Sequence, residues 1–302
     1  MLDIIGKKKW YFAFSLLIII PGLISLILWG LKLSIDFTGG SRMTFAFPQS
    51  VNEQQIAKVR EVFEKKNIEI ETLQPSEERI ILRTKPIDEK QAAAVLQEVQ
   101  KATNNTNVTQ ESFETIGPVI GQETTLNAVK AVAISSFLIV LYIAWSFRGV
   151  RKPVRSWRFG VCAIIALLHD ALVVVGLFSL LGHFAGVEID SLFVTALLTG
   201  LGFSVHDTIV VFDRIRENLR KNVEAPFEQI TNDSILQTLV RSLNTSLTAL
   251  LVLFTLLLFG GETIRWFVVA MIIGIASGTY SSIFNAAPLL VVWQNWASRR
   301  KK

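Results

Sequence analysis

Residues 191–218 read SLFVTALLTGLGFSVHDTIVVFDRIREN. From Ser191 to Val211 the stretch is largely apolar, Asp207 being its one acid with His206 beside it, and the charges resume only at Asp213. About 20 residues of helix cross the hydrocarbon core of a bilayer, so this reads as a membrane span with one acid left inside it. Five further stretches have the same character: Trp10 to Leu31, Ala128 to Phe147, Phe159 to Gly182, Leu243 to Phe259 and Trp266 to Val292. The whole chain agrees with them. Of its 302 residues 51% are hydrophobic and 18% charged, where a soluble domain carries roughly a quarter of its residues charged, and the mean hydropathy is +0.45. That composition excludes a uniformly soluble enzyme and a disordered chain. A single cysteine, Cys162, excludes a disulfide scaffold, because one thiol closes no internal bridge.

The net charge of +5 matters by its placement rather than its size, and it points to lipid headgroups rather than to nucleic acid. Lys7, Lys8 and Lys9 precede the first span; Arg148, Arg151, Lys152, Arg155 and Arg158 lie between the second and third; Arg214, Arg216, Arg220 and Lys221 lie between the fourth and fifth; Arg299, Arg300, Lys301 and Lys302 end the chain. Basic residues stay on the cytoplasmic side, which predicts both termini inside. The first apolar core is longer than the 7–15 residues of a signal peptide and no small-residue cleavage site follows it, so an uncleaved anchor is expected, kinked at Pro21. Four parts result: a cytoplasmic N-terminus with the first span (1–31), an extracytoplasmic domain (32–125), a five-helix bundle (126–293) and a basic cytoplasmic tail (294–302). Within the bundle, residues 213–240 form a charged amphipathic segment suited to the headgroup layer, with Arg155, Trp157 and Arg158 anchoring beside it, or else to a partner protein.

The polar stretch between the first two spans alternates in period. Arg42 to Phe47 reads as a strand, Val51 to Lys66 as a helix capped by Ser50 or Asn52, Ile68 to Leu73 and Arg79 to Thr84 as strands joined through Gln74-Pro75-Ser76, Asp88 to about Ala102 as a helix, and Val108 to Ile116 as a last strand. The order β-α-β-β-α-β is ferredoxin-like. The predicted fold is therefore an α-helical polytopic membrane protein with six transmembrane helices plus one extracytoplasmic ferredoxin-like α+β domain.

An ionised side chain at mid-bilayer costs about 2.5–3.5 kcal/mol on insertion scales, which singles out Asp170, Asp207 and, at the edge of the fifth span, Arg241. Asp207 and Arg241 fall at similar depth, so they read either as a titrating pair or as a static polar clasp. Asp170 is open to the same two readings. His169 and His206 each precede an acid. Neighbouring helical residues point about 100° apart, so these pairs do not ligate one ion, and neither a metal site nor another cofactor is expected. His206 is a candidate to assist a proton path. Two membrane acids also raise an intramembrane aspartyl protease, but the glycine that chemistry places directly before its second acid is absent here: Phe203-Ser204-Val205-His206 separates Gly202 from Asp207. Small residues form a second pattern. Ala270, Gly274, Gly278, Ser282 and Ala286 recur every four residues in the last span, and Gly200 and Gly202 punctuate the fourth. Such stripes let helices approach closely in lipid.

Three motifs carry a resemblance: Ile35-Asp36-Phe37-Thr38-Gly39-Gly40 after the first span, Gly202 to Asn218, and Ser234 to Gly261. With the six spans and single outer domain they resemble the SecD/SecF family of bacterial protein-export components, in the resistance-nodulation-division superfamily, and within it the smaller, separate subunit. The resemblance implies a non-enzymatic auxiliary subunit that acts with SecD, the SecYEG channel and SecA on a translocating preprotein, driven by the proton motive force. It implies a multi-pass protein of the bacterial plasma membrane, with the thylakoid membrane as the other candidate. It places Asp207 and Arg241 in the proton path, Asp170 more weakly, and leaves a further acid to SecD. The family often has asparagine where His206 stands. Asp36, Gly39 and Gly40 read as a hinge or as a tight turn. An exporter of small molecules or lipids from the same superfamily is the alternative function, and a passive scaffold is a third.

Overall fold

The computed structural model describes residues 2–148, 155–222 and 224–299. Arg151, Lys152, Arg300, Lys301 and Lys302, all used above to orient the chain, lie outside them. The chain forms two compact units, one of Leu33–Val129 and one of Met1–Lys32 with Lys130–Lys302.

In the smaller unit, α2 (Ile35–Thr38) leads into β1 (Gly40–Ala46), followed by α3 (Glu53–Lys65), β2 (Ile70–Pro75), β3 (Arg79–Thr84), α4 (Glu89–Thr103) and β4 (Thr109–Ile116). The four strands form one antiparallel sheet in the order β2-β3-β1-β4, the ferredoxin-like arrangement. Both helices start at reciprocal caps, Asn52 with Gln55 and Asp88 with Gln91. Asn52, rather than Ser50, is the first cap. Alternation along β1 and β3 turns Met43, Phe45, Ile80 and Leu82 onto one face, where Val59, Phe63, Val95 and Val99 of the helices cover them.

The larger unit contains α1 (Lys8–Leu28), the C-terminal part of α5 (Pro118–Ser146), α6 (Ser156–Ala185), α7 (Ser191–Lys221), α8 (Phe227–Phe259), α9 (Glu262–Ser281), a π-helical turn at Ser282–Ala286 and α10 (Ala287–Arg299). Among the described residues six helices are long and apolar enough to cross a membrane, with α9, the π turn and α10 counting as one. Helix α1 continues through Pro21. Helix α7 begins where the Asp190 carboxylate accepts from the Phe193 amide at 2.9 Å.

Two boundaries differ from the sequence reading. Helix α5 starts at Pro118, ten residues before Ala128, because a residue with fixed φ and no N–H is well placed in a first helical turn and the polar turns that follow still form helix. Residues 213–240 are not one surface helix: they include the end of α7, at Lys221, and the start of α8, at Phe227. Their polar residues bridge the two helices, with Asn218 donating to Ser234 Oγ at 2.8 Å and Arg214 to Gln237 Oε1 at 2.6 Å. Half or more of the most apolar window is buried in α6, α7 and the α9–α10 helix but only 6–17% in α1, α5 and α8, so the first three form the interior of the unit.

Candidate functional site

The interior helices meet through glycine and serine. A Cβ on Gly274 would lie 3.3 Å from Gly200 Cα, and one on Gly278 only 2.7 Å from Ser204 Cβ, so α7 and α9 touch backbone to backbone along the stripe seen in the sequence. A second such crossing, Gly22 of α1 on Gly176 of α6, with 2.9 Å from the virtual Cβ to the facing Cα, has no stripe in the sequence to announce it. Gly202 differs. It is exposed, with nothing within 4 Å of its Cβ position, so it packs against no other helix of this unit.

Close approach brings hydroxyls onto the acids. Asp170 is 1% exposed. Its Oδ1 accepts from Ser277 at 2.6 Å and faces His169 Nδ1 at 2.9 Å; its Oδ2 accepts from Ser204 and, at 2.6 Å, from Ser281. A carboxylate offers about four lone-pair sites, and all are taken by groups from α6, α7 and α9. Nε2 of His169 is buried with no hydrogen-bond partner among the described residues. Asp207 is 6% exposed; Ser246 Oγ donates to it at 3.4 Å, and the hydroxyls of Thr279 and Ser242 lie close enough to interact with it as well. Ser246 is also bonded to Thr279 at 2.5 Å, and the Ser242 hydroxyl is buried. One turn from Ser204, Thr208 and Ser282 join at 2.8 Å, and Ser282 donates to the Ser204 carbonyl at 3.1 Å, so hydroxyls line the α7–α9 seam between the two acids.

The sequence placed Arg241 beside Asp207. Among the described residues no ion pair joins them, and Arg241 is exposed. The cause is helical phase: Ser242 and Ser246, four apart, take the buried positions of α8, which turns Arg241 about 100° away. Gln237, one turn earlier, faces Arg214 and Asn218 of α7, so Arg241 lies on the α8 flank turned to α7 but uncovered. His206 is likewise exposed, as are Thr195 and Gly202 on α7 and Thr245 and Thr248 on α8. The structure thus gathers Asp170, Asp207, Gly200, Gly274, Gly278 and Ser282 inside, and leaves Arg241, His206 and Gly202 exposed. Sequence reading missed Ser246, Ser277, Thr279 and Ser281; the spacing of Ser277 and Ser281, one residue off the glycine stripe, was the available signal. Among the described residues no group of three His, Cys, Asp or Glu is placed to hold a metal.

The second motif lies in the smaller unit. Gly39 and Gly40 have φ of +74° and +119°, which side chains resist. Each is also crowded, since a Cβ would come within 2.9 Å of Pro118 Cα or 2.8 Å of the Thr84 carbonyl oxygen. Gly121 completes the contact, its virtual Cβ 2.7 Å from Gly39 N. Arg83 ties the same turn to the sheet, donating to the Leu33 carbonyl at 2.7 Å and to Thr38 Oγ1, with Glu71 3.0 Å away. Asp36 sits in the first turn of α2, its amide donating to Ser34 Oγ at 3.2 Å. The pair of glycines is therefore a packed clamp between α2, β1 and the start of α5; Arg83 and Gly121 are its unannounced members.

Six apolar helices around buried acids and hydroxyls, together with a ferredoxin-like unit, define a polytopic membrane protein. Comparison with known proteins narrows the class. Residues 95–296 match the family model described as protein export membrane protein SecD/SecF, C-terminal, and residues 25–51 match the SecD/SecF GG motif. The protein translocase subunit SecF of Thermobaculum terrenum is 48% identical over 98% of this chain and 95% of its own length. That of Anaerolinea thermophila is 44% identical over 100% and 99%. The crystal structure of SecDF, a translocon-associated membrane protein from Thermus thermophilus, superposes with a TM-score of 0.81 at 35% identity, covering 97% of this chain and 39% of the longer one. This chain belongs to the SecD/SecF family of protein-export membrane proteins, and within it to the SecF translocase subunits.

Proposed function

We propose that this protein works with a SecD subunit to draw preproteins outward after SecA and SecYEG have begun translocation, in a bacterial plasma membrane with both termini in the cytoplasm, and that proton movement through Asp207 drives the work. The observation that carries the reading is the looser hydrogen bonding of Asp207. Its Ser246 contact is 3.4 Å long, where Asp170 is held by hydroxyls at 2.6 Å, so Asp207 takes up or gives off a proton with less disruption of a hydrogen-bond network. Asp170 is assigned the role of holding α6, α7 and α9 in register. The uncovered flank supplies the second support. An arginine facing lipid is costly, and a SecD helix bearing an acid would cover Arg241 and complete the path beside Asp207; that SecDF of Thermus thermophilus spans both halves in one chain favours such a partner. His206 borders the same flank and assists. A proton falling through 100 mV releases about 2.3 kcal/mol, enough to shift a two-state equilibrium nearly 50-fold. The Gly39–Gly40 clamp is assigned to transmitting that shift to the ferredoxin-like unit.

Vesicles reconstituted with SecYEG, SecA, SecD and this chain provide the test. With Asp207→Asn, gradient-dependent release of preprotein drops to the rate without a gradient, while co-purification with SecD is retained. Unchanged release kinetics would rule the coupling out. Gradient-driven efflux of a dye or lipid, without crosslinks between residues 33–129 and an arrested preprotein, would replace it with the exporter alternative.

A further inference from the structure

Where α5 ends and α6 begins, the two helices leave a groove of about 340 Å³ between them, lined by Val140, Ala144, Phe147, Trp157, Gly160 and Ile164, with Arg148 in its wall. Two small residues make the room. A Cβ on Gly160 would meet only Ile143 Cγ2, at 3.7 Å. The groove, at about 340 Å³, accepts a stretch of alkyl chain. Its position suits a lipid. Trp145 and Trp157 are exposed at the two helix ends, the placement of aromatic rings at a membrane–water interface, and the Arg148 guanidinium lies over the Trp145 ring at 5.4 Å.

The charge on the two helix ends that form it is basic. No aspartate or glutamate occurs in the sequence between Glu123 and Asp170. Arg148 and Arg155 are both exposed, Arg155 directly preceding Ser156 of the groove wall. Arg216 of α7, ion-paired with Asp213, adds a donor to the Ser146 carbonyl at 3.3 Å. We propose that this groove is a binding site for one anionic phospholipid, an acyl chain lying along Ala144 and Gly160 and the phosphate resting on Arg148 and Arg155. Basic pockets between membrane helices are the usual seats of anionic headgroups. The charge complementarity selects an anionic lipid over a zwitterionic one, and the apolar floor distinguishes a lipid from free phosphate.

Native mass spectrometry of the purified full chain in detergent tests the site, with phosphatidylglycerol or phosphatidylcholine added at equal concentration. One phosphatidylglycerol is retained in preference to phosphatidylcholine. R148Q/R155Q weakens that retention about fivefold for each arginine removed without altering phosphatidylcholine, because both side chains are on the surface and the fold does not rest on them. Gly160→Leu fills the groove and removes the bound lipid with the arginines intact; Gly160→Ala, which the space admits, retains it. Equal retention of the two lipids, or an unchanged phosphatidylglycerol peak in R148Q/R155Q, overturns the proposal. So does a dimer that persists without lipid and is broken by Gly160→Leu, which would assign the groove to a second copy of the chain.

Discussion

Asp170 and Asp207 belong to the same interior, and both are nearly inaccessible to solvent, yet one is saturated with short hydrogen bonds and the other is held more loosely, its Ser246 contact at 3.4 Å. Burial alone therefore does not say what a membrane acid does. The tightness of their hydrogen bonds separates them: a carboxylate held by short contacts to hydroxyls of α7 and α9 and to His169 of its own helix suits a fastener, whereas the proposed proton exchange is assigned to the more loosely held one. The same contrast holds for the glycines. Gly278 is pressed against Ser204, while Gly202, a turn away from Asp207, faces open space. In each pair, helical phase decides which member is structural.

The contrast is sharpest in function. Asp207→Asn abolishes gradient-dependent release, as above, and Arg241→Gln, which removes the charge offered to a partner, does the same while leaving the isolated chain as stable as before; thermal unfolding of the purified variant in detergent checks the second half. In stability the order reverses. Interhelical hydrogen bonds in membranes average about 0.6 kcal/mol each, so Asp170→Ala, which removes four acceptor contacts, costs about 2–4 kcal/mol, and Asp207→Ala costs under about 1 kcal/mol. Reversible unfolding in mixed micelles measures both, and equal losses would erase the distinction drawn between the two acids. Gly278→Ala follows at about 1–3 kcal/mol, the range for forcing a methyl into a packed interface, whereas Gly202→Ala is neutral in the same assay. In the smaller unit Gly40→Ala combines a positive φ with a clash on the Thr84 carbonyl and costs about 1–3 kcal/mol, read as a lowered unfolding midpoint.

The smallest effect is at the exposed pair Glu61–Lys65, 2.7 Å apart on α3. The hydrogen bond from Lys65 holds the Glu61 carboxyl below its ordinary range, so the pair's contribution is present above the unfolded carboxylate pKa and is lost as pH falls through the folded one. Glu61→Gln therefore lowers the midpoint slightly above that pH range and leaves it unchanged below, flattening the acid-side fall of the profile; the effect is small because exposed pairs are screened by solvent.

Much of this architecture was written locally. Six apolar runs of bilayer length, the alternation of Arg42 to Phe47 and Arg79 to Thr84, the caps at Asn52 and Asp88, and the four-residue stripe from Ala270 to Ala286 depend on near neighbours in the chain, so composition and period expose them. The acids were also visible, because ionisable groups in apolar runs stand out by cost. Their partners were not. Ser277 and Ser281 lie 107 and 111 residues from Asp170, and Ser246 lies 39 from Asp207. A hydroxyl on an apolar helix looks the same whether it faces lipid, its own backbone or a buried carboxylate. Arg241 shows the complementary error, for depth along the helix was legible but the face was not. The sequence by itself determined the membrane class, the ferredoxin-like order and which residues were too polar to be idle. Only the tertiary structure decided that Asp170 is tightly held, that Asp207 is buried but more loosely bonded and that Arg241 turns away, because the rotation of a helix about its axis is fixed by contacts between segments far apart in the chain.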